Sequence, residues 1–476
     1  MLINDDKKSS PIGTVIIFFV LICLYYCGIL LCNFTFDNDS LIELLVITSA
    51  LSAILIARAS YNIIFFSRLS LLFLVGVYPV TIKLIDPEYF FSVFEFKTQS
   101  LEITTLMYGL TLIALPSAFI GWLIGQKLFH FAKRPVANLN LDYYRFFFYA
   151  SGVAVLYFGH MIAVSSGGTI FNIAYGESTS GTPLLGTAAA TGGVALSIMF
   201  YCALVLGERK YLALFAMAAF YLLIWCQFIR GLRQECIGTS FSIFIIYLMF
   251  HHKKIGWRAI YFIYMIPLYL FLELWGLVRT GLHLYLSGET GVSDVINMGL
   301  GNAAIMDHVV YSGTLGPITT TFANTVYLIE NGLISFLYGS GFVDYIWRTL
   351  PSFLYPERPQ DLAYIFQDYG LSSGGGFFEL AEAYLNFGMW GAALVPLCIS
   401  LAISCVYTYA KNGASLYRFF ALSALLCVWL RGAWYQTFAY YKSFISATLL
   451  FLILSFICAL YMMVKFPTKR LKQFSS

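Results

Sequence analysis

The sequence predicts an all-α polytopic membrane protein with about twelve transmembrane helices, because 30 Å of hydrocarbon takes about 20 helical residues and apolar runs of that size recur along it. Three observations carry this: composition, the length of the apolar runs, and the sidedness of Lys and Arg. Of 476 residues, 60% are hydrophobic and 11% are charged, with mean hydropathy +0.78. Soluble domains carry about 25% charged residues. So few charges cannot clothe a water-facing surface, and lipid must be the solvent for most of it.

The apolar runs lie at 14–34, 40–57, 69–85, 101–126, 146–164, 187–206, 211–228, 236–250, 259–278, 385–407, 416–430 and 444–464. The first has no small-residue cleavage site and is expected to stay as a helix. Gly76 and Pro79 interrupt the third, which is expected to be kinked or discontinuous there. Pro116 and Pro267 are expected to make ordinary kinks in the fourth and ninth. The runs at 236–250 and 416–430 are short for spans, so their ends are loosely set.

With both termini on the cytoplasmic side, Lys and Arg divide 19 inside to 9 outside, as the positive-inside rule requires. Arg58 and Arg68 fall on the inner side in this count. Short connections join most runs, with one exception: residues 280–384 form a large outer loop, taken as an insertion in a single domain spanning 1–476. It contains amphipathic stretches such as Phe342–Phe353, and loops of this length are usually functional. A second outer loop, 165–186, is rich in Gly, Ser and Thr.

Net charge of +4 spread over one membrane face excludes a nucleic-acid partner, which calls for clustered charge. The ten cysteines lie in or beside apolar runs with no CxxC pair, which excludes a disulfide framework or zinc site. No acidic cluster suggests a magnesium cage, so neither metal nor cofactor is expected.

The informative charges are those that break the inside rule. Arg230 and Arg233 lie in FIRGLRQE, a tight outer turn; Arg279 ends the ninth run and Arg431 the eleventh. Arg presents a planar fork that grips phosphate oxygens bidentately, and a helix start adds free N–H groups. Any one of these arginines is equally a snorkelling anchor or a partner of Glu235. Four at similar depth favour an anion site able to hold a diphosphate. Glu379 and Glu382, three apart where the long loop enters the tenth run, are candidate general bases. Against this, either acid alone also suits a helix start. His308 and His283 lie in the same loop as weaker candidates, and a polar loop role fits them as well. The Gly374–Gly376 run lacks the strand–helix context of a phosphate loop.

Taken in order, RGLRQE, the loop segment LPSFLYPERP, ELAEAYLNFGMWG and the late LRGAWYQ resemble the Wzy-type polymerases of bacterial surface polysaccharide such as O-antigen. The resemblance covers the topology of the whole chain and local motifs from about 225 to 440. It implies a GT-C-like glycosyltransferase fold in the bacterial inner membrane, acting at the periplasmic face. Donor and acceptor would be oligosaccharides on undecaprenyl diphosphate, and a Wzz-type chain-length-determining co-polymerase the usual partner. On this basis Arg230, Arg233, Arg279 and Arg431 would hold diphosphate, and Arg348 and Arg358 the glycan or a second phosphate. Glu382 is the first choice for base, then Glu379, with His308 in reserve. The related O-antigen ligases use a loop histidine, and none lies in the PERP or EAYLNFG segments here. The rival from another class is a lipid-linked glycan flippase, though the sequence shows no pair of similar halves.

Overall fold

A computed structural model describes residues 11–34, 36–85, 101–128, 141–165, 184–229, 232–251, 315–349, 377–412, 416–434 and 436–465, with single positions 285, 291, 293, 359, 362 and 369. All regular structure among them is helical. In order the first helices are α1 (Pro11–Asn33), α2 (Asn38–Ala59), α3 (Ile63–Ile85), α4 (Leu101–Leu128), α5 (Leu141–Ser165) and α6 (Leu184–Leu206). Then come α7 (Arg209–Ala219), which continues as a π-helix over Phe220–Phe228, and α8 (Arg233–Phe250). After these lie α9 (Leu315–Glu330), α10 (Ser340–Thr349), α11 (Glu379–Phe387), α12 (Met389–Lys411), α13 (Leu416–Cys427), α14 (Trp429–Trp434) and α15 (Phe438–Lys465).

Among the described residues, nine helices are long and apolar enough to cross a membrane: α1 to α6, α7 with its π-helical extension, α12 and α15. They match nine of the runs expected from hydropathy. Peripheral helices turn apolar side chains outward, as Val15, Phe18 and Phe19 of α1 and Leu452, Ile453 and Phe456 of α15 do. That is what a lipid solvent requires.

The other three runs depart from expectation in different ways. The run at 236–250 lies in α8, an 18-residue helix whose first turn, Arg233, Gln234 and Glu235, is polar. The run at 416–430 breaks at Val428 into α13 and α14, and the Tyr440 hydroxyl donates to the Trp429 carbonyl at 3.0 Å beside the break. Residues 259–278 lie outside the described residues.

Packing centres on α4, a largely buried helix. It runs beside α12, where a Cβ on Gly121 would collide with the Leu397 carbonyl and Ser404 donates to the Trp122 carbonyl at 2.8 Å. Gly76 faces Thr111 of α4 just as closely. Of the expected kink or discontinuity in α3, the discontinuity is corrected: one helix runs through Gly76 and Pro79, and Gly76 serves close packing. A second layer groups α5, α6, α8, α13 and α15 around rings such as Tyr201 and Phe419, stacked at 3.9 Å.

Two features position the site. Part of the expected outer loop, α9, packs against α3, α4 and α11, burying Ile318, Phe322 and Val326. Its threonines bond back to their own helix, Thr319 to the Leu315 carbonyl and Thr325 to that of Thr321, both at 2.9 Å. Secondly, Glu379 and Glu382 do not enter the tenth span. They ride on α11, which ends at Gly388 and folds back along α12. Gly388 has φ +59° and ψ −145°, a region closed to residues with a Cβ. Behind this turn Gly391 lies so close to the Ala383 carbonyl that no Cβ would fit.

Candidate functional site

The hairpin of α11 and α12 places two carboxylates one helical turn apart, in opposite circumstances. Glu379, at the start of α11, is gripped by Arg68 of α3. Nη1 donates to Glu379 Oε2 at 2.8 Å, and Nη2 to Oε1. Arg68 Nε donates to Ser400 Oγ at 2.7 Å, about midway along α12. The side chains of Arg68 and Glu379 are 1% and 0% exposed. Because Arg68 reaches both, the first turn of α11 lies level with the middle of α12. Arg68, counted from sequence among the inner-side charges, is thus buried within the bundle and not presented at a membrane face. A buried guanidinium needs a carboxylate, and Glu379 meets that need.

Among the described residues, Glu382 has no cation of this kind. Its Oε2 accepts from the Thr437 backbone N–H at 3.0 Å, just before α15. No hydrogen-bond partner meets its buried Oε1 among the described residues. The short helix α11 is not one of the spans. Burial holds the Glu382 carboxyl well above the ordinary carboxylate range, opposed by the hydrogen bonding from Thr437. One turn on, Asn386 donates to the Glu382 carbonyl at 2.9 Å and accepts from the Gly341 N–H at 3.2 Å, which fastens α10 to α11. Tyr345 of α10 then lies against Phe438, with ring centroids 5.3 Å apart, and the Arg348 guanidinium sits 4.8 Å from the same ring. The amphipathic stretch expected in the loop is thus α10, with Tyr345 inward and Val343, Ile346 and Trp347 outward.

Arg431 of α14 forms an ion pair with Glu235, in the first turn of α8 beside Arg233. Its guanidinium lies against Gly186 of α6, and the side chain remains 37% exposed. Nearby, Gln227 at the end of the π-helix donates to the Ala189 carbonyl at 3.1 Å. π-Helical turns are rare and frequent at functional sites. Here the wider turn ends directly before the arginine-bearing connection to α8.

Of the residues singled out from sequence, the structure brings Glu382 and Arg348 together at the start of α15, and Arg431 to the turn that holds Arg233. Glu379 is committed to Arg68. Arg230, Arg279, Arg358 and His308 lie outside the described residues. Reasoning from sequence missed Arg68, Ser400, Tyr345 and Thr437. Only Arg68 left a signal, a charge with few polar neighbours directly before an apolar run. The two carboxylate and arginine clusters meet in one short segment: Arg431 reaches Glu235, and six residues later Thr437 reaches Glu382. Comparison with protein-family models, curated proteins and solved structures finds no match.

Proposed function

We propose that this protein is a Wzy-type polymerase of undecaprenyl-diphosphate-linked oligosaccharide repeat units, acting at the periplasmic face of a bacterial inner membrane on a GT-C-like fold. The observation that carries this reading is the junction from Arg431 to Thr437. It sets the Arg431–Glu235 ion pair, with Arg233 in the same helical turn as Glu235, within at most about 20 Å of chain from a carboxylate that has an oxygen to spare. In the reaction, an acceptor sugar hydroxyl attacks the anomeric carbon of the donor glycan. Glu382 takes the hydroxyl proton, and the bond from sugar to diphosphate breaks. Arg233 and Arg431 hold the departing diphosphate, joined by Arg230 and Arg279. Glu235 offsets one of these charges and fixes the Arg431 fork. Fixed donors of this kind act where negative charge grows. Arg348, on the other flank of Glu382, is a glycan or second-phosphate contact. Arg358 and His308 keep their lesser assigned roles, and a Wzz-type co-polymerase would set chain length.

The test is to supply purified protein in liposomes with a lipid-linked repeat unit. A ladder of lipid-linked products is expected. One further observation favours the flippase alternative: a buried ion pair beside broken helices also suits substrate passage. Movement of the unit across the bilayer without a ladder would establish that reading instead, and would overturn the polymerase.

A further inference from the structure

Around Glu382, its own Oε1, the Tyr345 hydroxyl and Thr437 Oγ1 complete no close hydrogen bond among the described residues, although the Thr437 side chain lies near enough to the Glu382 carboxyl to favour its charged form. Their residues are 0%, 0% and 1% exposed, and they come from α11, α10 and the turn before α15. Two contacts draw them together. The Thr437 N–H binds Glu382 at 3.0 Å, and Tyr345 lies on the adjoining Phe438. The Tyr345 ring also lies 6.3 Å from that of Tyr441, one turn further along α15. Buried polar atoms are nearly always bonded, so spare bonding capacity gathered on three neighbouring residues points to a binding role.

The chemistry of a fitting ligand can be read from the atoms. In the ionised form that a base needs, the Glu382 oxygen asks for a donor, while a phenol O–H asks for an acceptor and a threonine hydroxyl serves as either. A phosphate fails the first demand, since it brings only acceptors and negative charge to Glu382. An ammonium fails the second, having no lone pair for the Tyr345 hydroxyl. A neutral alcohol satisfies all three: its O–H donates to Glu382 Oε1 while its oxygen accepts from Tyr345 or Thr437.

We infer that Tyr345 and Thr437, with Glu382, form the seat of the acceptor sugar hydroxyl, making Tyr345 a substrate-contacting residue. The inference rests on the polymerase reading and names the subsite within it. The Tyr345 hydroxyl holds the attacking oxygen while its proton points at Glu382 Oε1. The diphosphate is left to the arginines across the junction.

Tyr345→Phe keeps the ring on Phe438 and removes only the hydroxyl. With the amount and melting temperature of the protein unchanged, kcat/KM for the lipid-linked unit should fall about three- to tenfold, the worth of one neutral hydrogen bond. A second measurement does not depend on turnover. Dicyclohexylcarbodiimide modifies protonated carboxyls in apolar surroundings, and mass spectrometry reads its rate at Glu382. A short-chain lipid-linked repeat unit should slow modification of the wild type and protect Tyr345→Phe far less. Equal protection of both proteins, or none of either, would overturn the seat. A ladder without protection leaves the polymerase standing and removes this subsite. Protection that Tyr345→Phe loses, without a ladder, keeps the subsite and removes the reaction.

Discussion

The two ends of α11 differ in how their carboxylates are satisfied. At its start, both oxygens of Glu379 are taken by Arg68, and the arginine spends its remaining reach on Ser400. A turn later, Glu382 has one bond from a backbone N–H and one oxygen facing no partner among the described residues. Both side chains are fully buried. Burial therefore does not separate a structural acid from a working one; residual bonding capacity does. The saturated end anchors the helix, and the unsaturated end is the one that the proposed function uses as its base.

The comparison breaks most directly at Glu382. Glu382→Gln keeps an acceptor for the Thr437 N–H but cannot take a proton, and ladder formation in liposomes should drop by about 10²–10⁴-fold. Near-normal ladders from this variant would make both ends structural. At the anchored end, Arg68→Ala strands a buried carboxylate and should cost about 3–5 kcal/mol, read as an earlier thermal unfolding in detergent. Arg68→Met combined with Glu379→Leu should recover most of that loss, since an apolar pair removes the stranded charge.

Smaller effects sharpen the contrast. Arg233→Lys and Arg431→Lys keep charge and lose the fork, so turnover should slow about ten- to a hundredfold, the worth of a charge-assisted hydrogen bond of roughly 1.5–3 kcal/mol. Arg258→Lys, at a position assigned to the cytoplasmic side, serves as the control and should be silent. Gly391→Ala forces a methyl against the Ala383 carbonyl and should cost about 1–3 kcal/mol as the hairpin opens.

The pH response has opposite signs for stability and rate. With the folded-state value of Glu382 raised by burial, its contribution to stability is full in acid and is lost as pH rises through that value. A base must be ionised, so kcat/KM should climb over the same window. Glu382→Gln should flatten the stability trend, which melting curves across pH will show.

Spans were legible because twenty apolar residues in a row are a local property. The hairpin was not. Hydropathy passes smoothly through NFGMWG, and nothing local reveals that Gly388 has a positive φ. Helix α9 escaped notice because Thr319, Thr320, Thr321 and Asn324 dilute its apolar pattern. Among the site residues, Glu382 and the pairing of Arg431 with Glu235 were foreseeable from residue type and position. Tyr345 was not, since one aromatic in an aromatic-rich loop has no distinguishing mark. The partnership of Arg68 spans 311 residues of chain, beyond any reading of neighbours.

That separation has a consequence for biosynthesis. A ribosome adding about 5–20 residues per second takes roughly 15–60 s to travel from Arg68 to Glu379. Throughout that interval α3 has been made and the carboxylate that neutralises its arginine has not. The nascent chain must therefore keep Arg68 near water or the insertion machinery, and α3 can reach its final depth only when α11 arrives. The contact that anchors the finished hairpin is thus a late step, with α12 to α15 still to follow, so chains released before residue 379 should be prime targets for membrane proteolysis.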